Sequence, residues 1–314
     1  MDELSMAAKL VVEGLTVRYG EFLAVDGLNF QVEEGEILGM LGPNGAGKTT
    51  TIKTILGLLP FEGRVEIAGG TPGSLEVRRK IGYMPQNFSL YQNLTVEENL
   101  RFFAAIYGVA KGEVERRIGE LLKIAELLNR KDELVKNLSR GMKQRLMLIC
   151  SMIHDPEILI LDEPTAGVDP PLRRAFWEHF RELNEEGKTI LVTTHYMDEA
   201  ENCHRLIVMR SGRKIAEGNA DEIKRRALGG ELIIIDSTRN REALQILRDA
   251  GFDSKIIEDK IAVIVDSSAR RLPEVIDVLK KRDVSVSYAE TRKLTLEDAF
   301  LKFVSEDDVV QSSR

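Results

Sequence analysis

Between Gly42 and Thr49 the chain reads Gly-Pro-Asn-Gly-Ala-Gly-Lys-Thr, a fit to the pattern G-x-x-x-x-G-K-[ST]. It follows a short apolar run, Ile37 to Leu41, with the length of a buried strand, and it precedes Thr50 to Leu59, whose apolar positions suit a helix. Strand, glycine loop and helix in that order leave few folds open. Gly45 and Gly47 let the backbone take positive φ and turn its N–H groups inward, and the helix N-terminus adds its partial positive charge to the same place. An anion belongs there. Gly42, Asn44, Gly45, Ala46, Gly47 and Thr50 are the binding candidates of this loop, Lys48 is placed to bridge the β- and γ-phosphates of a nucleotide, and the Thr49 hydroxyl is placed to ligate Mg²⁺. The plainer alternative is a glycine-rich turn carrying a surface lysine.

The acidic balance, 44 Lys+Arg against 51 Asp+Glu for a net charge of -7, argues against a broad basic footprint for nucleic acid. Cys150 and Cys203 stand far apart inside apolar segments, as buried free thiols in a reducing compartment would. The longest apolar stretch, Leu146 to Ile153, is far short of the ~18 residues of a membrane span, and the acidic start does not read as a signal peptide. The expectation is a soluble, cytoplasmic chain that needs another subunit for any membrane role.

Leu10 to Arg18 and Phe22 to Val32 read as strands, the second interrupted by a turn or bulge at Asp26-Gly27, with a further strand at Gly63 to Ala68. After Ile81 to Gln86 the pattern becomes helical. Thr95-Val96-Glu97-Glu98 is a capping box opening a helix through Tyr107. Val114, Ile118, Leu121, Leu122, Ala125 and Leu128 line one face of a second helix, and Met142, Leu146, Ile149 and Ile153 one face of a third. From Glu157 on, strands and helices alternate, which predicts a parallel sheet with ligands at its carboxyl end. Gly229-Gly230 is read as a hinge into a β-α-β-β-α-β unit of the ferredoxin-like plan, whose halves repeat faintly between Ala243–Phe252 and Val275–Val284. It carries no catalytic cluster and is read as a docking or dimerisation module.

Asp162 and Glu163 end an apolar strand, an unusual place for adjacent carboxylates. Asp162 suits a Mg²⁺ ion held through water, and Glu163 suits polarising the water that attacks the γ-phosphorus. Gln86 is an amide able to ligate Mg²⁺ and sense the γ-phosphate, with a turn residue as the plain alternative; His195 ends the strand Ile190 to Thr194 and is placed to donate to the same phosphate. Ser139 caps the helix starting near Gly141, offering a second anion site of hydroxyl, backbone N–H groups and helix dipole, or simply an ordinary N-cap.

Taken in order, Gly42–Thr49, Leu138–Arg145 and Asp162-Glu163 resemble the nucleotide-binding motifs of ATP-binding cassette (ABC) proteins, with the resemblance covering about Leu10 to Gly218. It implies a P-loop NTPase over residues 8–228, an α/β RecA-like core with an antiparallel β subdomain and a helical subdomain at about 87–155, followed by an α+β ferredoxin-like domain at 229–314. By the same resemblance Tyr19 is the adenine-stacking aromatic, Gln86 the glutamine loop, Ser139 to Met142 the signature, Asp162 the Walker B aspartate, Glu163 the catalytic glutamate, Asp169 the D-loop residue and His195 the switch histidine. The commonest signature is L-S-G-G-Q; here Arg140 and Met142 stand in place of its glycine and glutamine. The variant L-S-R-G-M-K-Q-R, Thr194–Ala200 and the ending Leu294–Leu301 are similar to the branch serving multidrug, antibiotic and sodium exporters of the ABC-2 type.

The resemblance implies ATP and Mg²⁺, and two copies meeting head to tail, each giving Ser139 and Gly141 to the ATP of the other. It also implies a separate integral-membrane permease, contacted beside Gln86 to Leu100 with Phe88 and Tyr91 at hand, at the inner face of the cell membrane. The alternatives are a non-transport cassette acting as an ATP-dependent clamp, and a regulatory module that binds ATP but hydrolyses slowly.

Overall fold

Buried side chains along Ala8–Tyr19 (β1) fall at Leu10, Val12, Leu15 and Val17, a period of two that slips by one residue at Glu13-Gly14. The pairing register with Phe22–Glu33 (β2) shifts between Val12 and Leu15, so the bulge keeps both halves of β1 facing one core. The computed structural model describes residues 8–228, 230–257, 259–292, 295–300 and 302–303, and of Leu228 the backbone only. Further along come Ile37–Leu41 (β3), Lys48–Ile55 (α1), Glu62–Ile67 (β4), Leu75–Lys80 (α2) and Ile81–Met84 (β5). The next elements are Val96–Tyr107 (α3), Lys111–Ile124 (α4), Arg140–Met152 (α5), Ile158–Asp162 (β6) and Pro170–Glu185 (α6). Thr189–Thr194 (β7), Met197–Ala200 (α7), Arg205–Arg210 (β8) and Arg213–Gly218 (β9) follow.

Two sheets result: β2-β1-β4, antiparallel, and the six-stranded β5-β6-β7-β3-β8-β9, parallel from β5 through β8. Every residue of β3, β6 and β7 is buried, as a parallel sheet covered on both faces requires. The register pairs Leu41 with Thr194 and Asp162 with Thr193, so the carboxyl ends of these three strands finish level. That alignment positions the site.

The helical segment begins with the capping box at Thr95, whose hydroxyl accepts from Glu98 N at 3.1 Å while the Glu98 carboxylate accepts from Thr95 N at 2.7 Å. Helix α4 ends earlier than its apolar spacing predicts. Glu126 turns to φ 56, the chain leaves the helix, and Leu128, expected on the buried face, is 42% exposed in a short 3₁₀ turn.

By its internal contacts the chain divides between Glu217 and Gly218. The expected boundary lies farther on, at Gly229-Gly230, so Ala220–Leu228 (α8) groups with the second unit. Gly230 is a point of close approach, since a Cβ there would stand 2.0 Å from Val265 O. The second unit runs Glu231–Ser237 (β10), Asn240–Asp249 (α9), Asp253–Ile257 (β11), Lys260–Val265 (β12), Ser268–Lys280 (α10) and Val286–Arg292 (β13). Its antiparallel sheet has the order β11-β12-β10-β13, the ferredoxin-like arrangement, with Ile233 and Ile235 buried in one cluster with Leu247 of α9 and Val275 and Leu279 of α10. Gly229, Glu258 and parts of the similarity at Leu294–Leu301 lie outside the described residues, as does the start, residues 1–7.

Candidate active site

The glycine loop leaves β3 and enters α1 through Gly47, which holds φ 101 and sits so close to β2 that a Cβ would meet Ala24 O at 2.8 Å. Only glycine fits both conditions. Gly45 takes φ 82, Ala46 is buried with its N–H bonded to Pro43 O at 3.2 Å, and Asn44 is exposed at the rim. Thr50, the third residue of α1, gives its carbonyl to Thr54 Oγ1 at 2.9 Å. The Lys48 ammonium points back into the loop, donating to Gly42 O at 2.6 Å and Pro43 O at 3.1 Å and standing 3.4 Å from Glu163 Oε1. Burial lowers the Lys48 pKa, and the Glu163 charge opposes that fall.

Thr49 and Asp162 meet across the sheet. Asp162 Oδ1 accepts from Thr49 Oγ1 at 3.2 Å and from Thr193 Oγ1 at 2.7 Å. Its other oxygen, Oδ2, is buried with no hydrogen-bond partner among the described residues. Burial raises this carboxyl's pKa, and the two threonine hydroxyls pull it back down. A hydroxyl beside a carboxylate oxygen with unused lone pairs is the donor set for Mg²⁺, which takes one or two protein oxygens and fills its remaining positions with water and substrate phosphate. The residues fit that ion. Gln86 does not join this pair: its amide donates to Glu163 Oε2 at 3.0 Å.

Glu163 is 6% exposed and lies just past β6 at φ 49, a left-handed conformation uncommon outside glycine. In a continuing strand its side chain would face away from that of Asp162; the kink turns both carboxylates to one end of the sheet. Such a backbone costs of order 1–3 kcal/mol and is held by the Glu163 N–H, which donates to Thr193 Oγ1 at 2.9 Å. Thr193 thus fixes both carboxylates at once. His195, one residue past β7, brings Nδ1 to 3.3 Å from Glu163 Oε2, close enough for an ion pair but off the angle of a hydrogen bond.

Lys48, Thr49, Gln86, Asp162, Glu163 and His195 are therefore one cluster. Tyr19, Ser139, Gly141 and Asp169 stand apart from it, with no hydrogen bond or ion pair to it among the described residues. Tyr19 ends β1 with its ring 48% exposed. Ser139 caps α5, accepting from Met142 N at 3.2 Å, and Asp169 caps α6, accepting from Leu172 N at 2.9 Å. Each keeps its ordinary capping role within its own chain.

Two further residues support the site through contacts that sequence spacing does not reveal. Thr193 had the look of a strand-former, and only the register reveals its hydroxyl beside Asp162. Glu199 on α7 is 2% exposed and accepts from Thr165 Oγ1 at 2.5 Å and Thr194 Oγ1 at 2.7 Å, with Arg173 Nε 3.2 Å away. It ties the loop after Glu163 to the residue before His195. Arg173 also lies over the Tyr196 ring, 4.0 Å from its centroid.

Comparison with known proteins agrees with this geometry. The family described as "ABC transporter" matches residues 25–166. A probable multidrug ABC transporter ATP-binding protein, YbhF of Escherichia coli (strain K12), is 44% identical over 238 residues, 75% of this chain and 41% of YbhF, so the chain spans less than half of that relative. Nod factor export ATP-binding protein I of Burkholderia thailandensis is 40% identical over 294 residues, 92% of this chain and 95% of its own length. Among solved structures, a dimeric ATP-binding cassette in a post-hydrolysis state with ADP and Pi superposes with a TM-score of 0.62 at 28% identity, covering 67% of this chain and 98% of that one. A nucleotide cradle, a paired carboxylate end and relatives of this extent place the protein in one family: the chain belongs to the ABC transporters, as one of their ATP-binding cassettes.

Proposed function

We propose that the protein is the motor subunit of an exporter, converting ATP hydrolysis into movement of a separate integral-membrane permease. The observation that carries this is the convergence of Lys48, Asp162 and Glu163 on the level carboxyl ends of β3 and β6, together with relatives named for multidrug and Nod factor export. Lys48 and the loop N–H groups receive the phosphates. Thr49 and Asp162 would hold Mg²⁺, which when bound would supply positive charge to offset that of the phosphates. Glu163 orients and polarises the attacking water, Gln86 and His195 fix its carboxylate, and Tyr19 offers a face for the adenine.

Ser139 and Gly141 complete the site of a second copy in a head-to-tail dimer, with Asp169 beside the same junction. The hydroxyl oxygen of Ser139 is engaged at Met142 N, which leaves its proton free to donate to a phosphate. ATP holds such a dimer closed through its γ-phosphate, and hydrolysis removes that charge from between the two donor sets. The permease docks beside Gln86 to Leu100, where Phe88 and Tyr91 are 39% and 47% exposed. Among the described residues no helix is long and apolar enough to cross a membrane, consistent with a peripheral subunit on the inner face. The test is Glu163→Gln with Mg-ATP on a sizing column: a shift to dimer that ADP does not produce is expected, and a protein that stays monomeric at saturating ATP overturns the shared-site reading.

A further inference from the structure

Arg140 stands where the commonest signature has glycine, and its side chain turns back into its own subunit. One guanidinium nitrogen, Nη2, donates to Ala166 O at 2.9 Å. The same group closes over Gly167, where a Cβ would lie 2.6 Å from Nη2 and 2.7 Å from Cζ, and Gly167 holds φ +70. The guanidinium also lies over the Phe88 ring at 6.0 Å from the centroid, the outer limit of a cation–π contact. Three separate loops therefore meet on one side chain: the start of α5 with Ser139 and Gly141, the turn Ala166–Asp169 before α6, and the segment following Gln86.

We propose that Arg140 is a positioning residue that locks the signature end of α5 and the Ala166–Asp169 turn into one rigid surface, so that both are presented together to the nucleotide of a second copy. The proposal rests on the head-to-tail dimer proposed above. The physics favours a brace over a nucleotide contact, because a charge-assisted bond to a backbone carbonyl is strong and a planar guanidinium also covers the glycine backbone and the ring. A flexible glycine at position 140 would leave the two segments to be ordered separately on dimerisation. Pre-ordering them removes that cost from the association step.

The experiment uses the Glu163→Gln protein as parent and measures the ATP concentration at half-dimerisation by light scattering. Adding Arg140→Ala is expected to raise that concentration about tenfold, the loss expected for one charge-assisted hydrogen bond. Nucleotide affinity of the monomer, read with a fluorescent ATP analogue below the dimerising concentration, stays at the parent value. Arg140→Lys, which keeps a donor for Ala166 O, restores part of the loss. Gly167→Ala impairs the parent strongly and the Arg140→Ala protein less, because the guanidinium it collides with is gone; a double-mutant cycle reads this coupling. Dimerisation of the Arg140→Ala protein at the parent's ATP concentration overturns the brace alone. Failure of the parent itself to dimerise overturns the shared-site reading, and the brace falls with it.

Discussion

Lys48 Nζ stands 3.4 Å from Glu163 Oε1, and both residues are almost wholly buried. The cation proposed to grip phosphate and the carboxylate proposed to activate water thus stand as an ion pair inside the site. On that proposal an incoming γ-phosphate would compete with Glu163 for Lys48. Glu163→Gln is therefore expected to tighten ATP binding while lowering the turnover number by a factor of roughly 10² to 10⁴. Equilibrium nucleotide binding and steady-state phosphate release check the two halves, and weaker ATP binding by Glu163→Gln would refute the competition.

Thr193→Val keeps the strand and the side-chain volume but removes a donor to Asp162 Oδ1 and the acceptor of Glu163 N. The buried N–H left behind costs about 1–3 kcal/mol, readable as a lower unfolding midpoint. Because the hydroxyl also orients Asp162, the Mg²⁺ concentration giving half-maximal ATPase should rise about tenfold or more. An unchanged Mg²⁺ dependence would show that Asp162 needs no such support.

Removal of the Glu199 carboxylate leaves Thr165, Thr194 and Arg173 without their shared partner. Glu199→Ala should cost on the order of 3 kcal/mol, as breaking a buried ion pair does. Glu199→Gln should cost less, since shape and one acceptor survive. In the Gln variant we expect the turnover number to fall while KM for ATP stays near wild type, because His195 shifts and the phosphate cradle does not. Equal losses in both constants would argue for a general effect on folding.

His154 provides a pH signature. Its Nε2 donates to Ile81 O at 2.9 Å, its ring stacks on Tyr107 at 3.8 Å, and Nδ1 is buried with no hydrogen-bond partner among the described residues. Burial depresses its pKa from 6.5 to about 4. The unfolded chain takes up the proton first as pH falls, so this residue's contribution to stability is complete above the unfolded value and is lost between 6.5 and about 4. The full loss is on the order of 3 kcal/mol, and denaturant titrations at pH 7 and pH 5 should show about 2 kcal/mol of it for wild type but not for His154→Gln. Identical pH slopes for the two proteins would place the titration elsewhere.

Much of the site was legible because its chemistry is local. Gly42–Thr49 writes strand, turn and helix in adjacent residues, and the capping box at Thr95–Glu98 closes within a single helical turn. Glu163 was legible as a residue type, but its φ of 49 was not, since the hydrogen bond that meets its N–H there comes from Thr193 on a neighbouring strand. Leu128 shows the limit of periodicity: its spacing continues the apolar face of α4, yet the chain turns away at Glu126.

The sequence by itself determined the phosphate cradle, the alternation that gives a parallel sheet, the β-α-β-β-α-β order of the second unit and the family to which the chain belongs. The cradle, the alternation and the β-α-β-β-α-β order follow from backbone preferences and side-chain periodicity over a few residues; the family follows from the resemblance of the motifs at Gly42–Thr49, Leu138–Arg145 and Asp162-Glu163. Only the tertiary structure decided that Gln86 and His195 converge on Glu163, that Glu199 is a buried anchor, and that Arg140 turns inward to Ala166. The physical reason is that strand register and loop packing join residues distant in the chain, and no local preference encodes which of them will share a hydrogen bond.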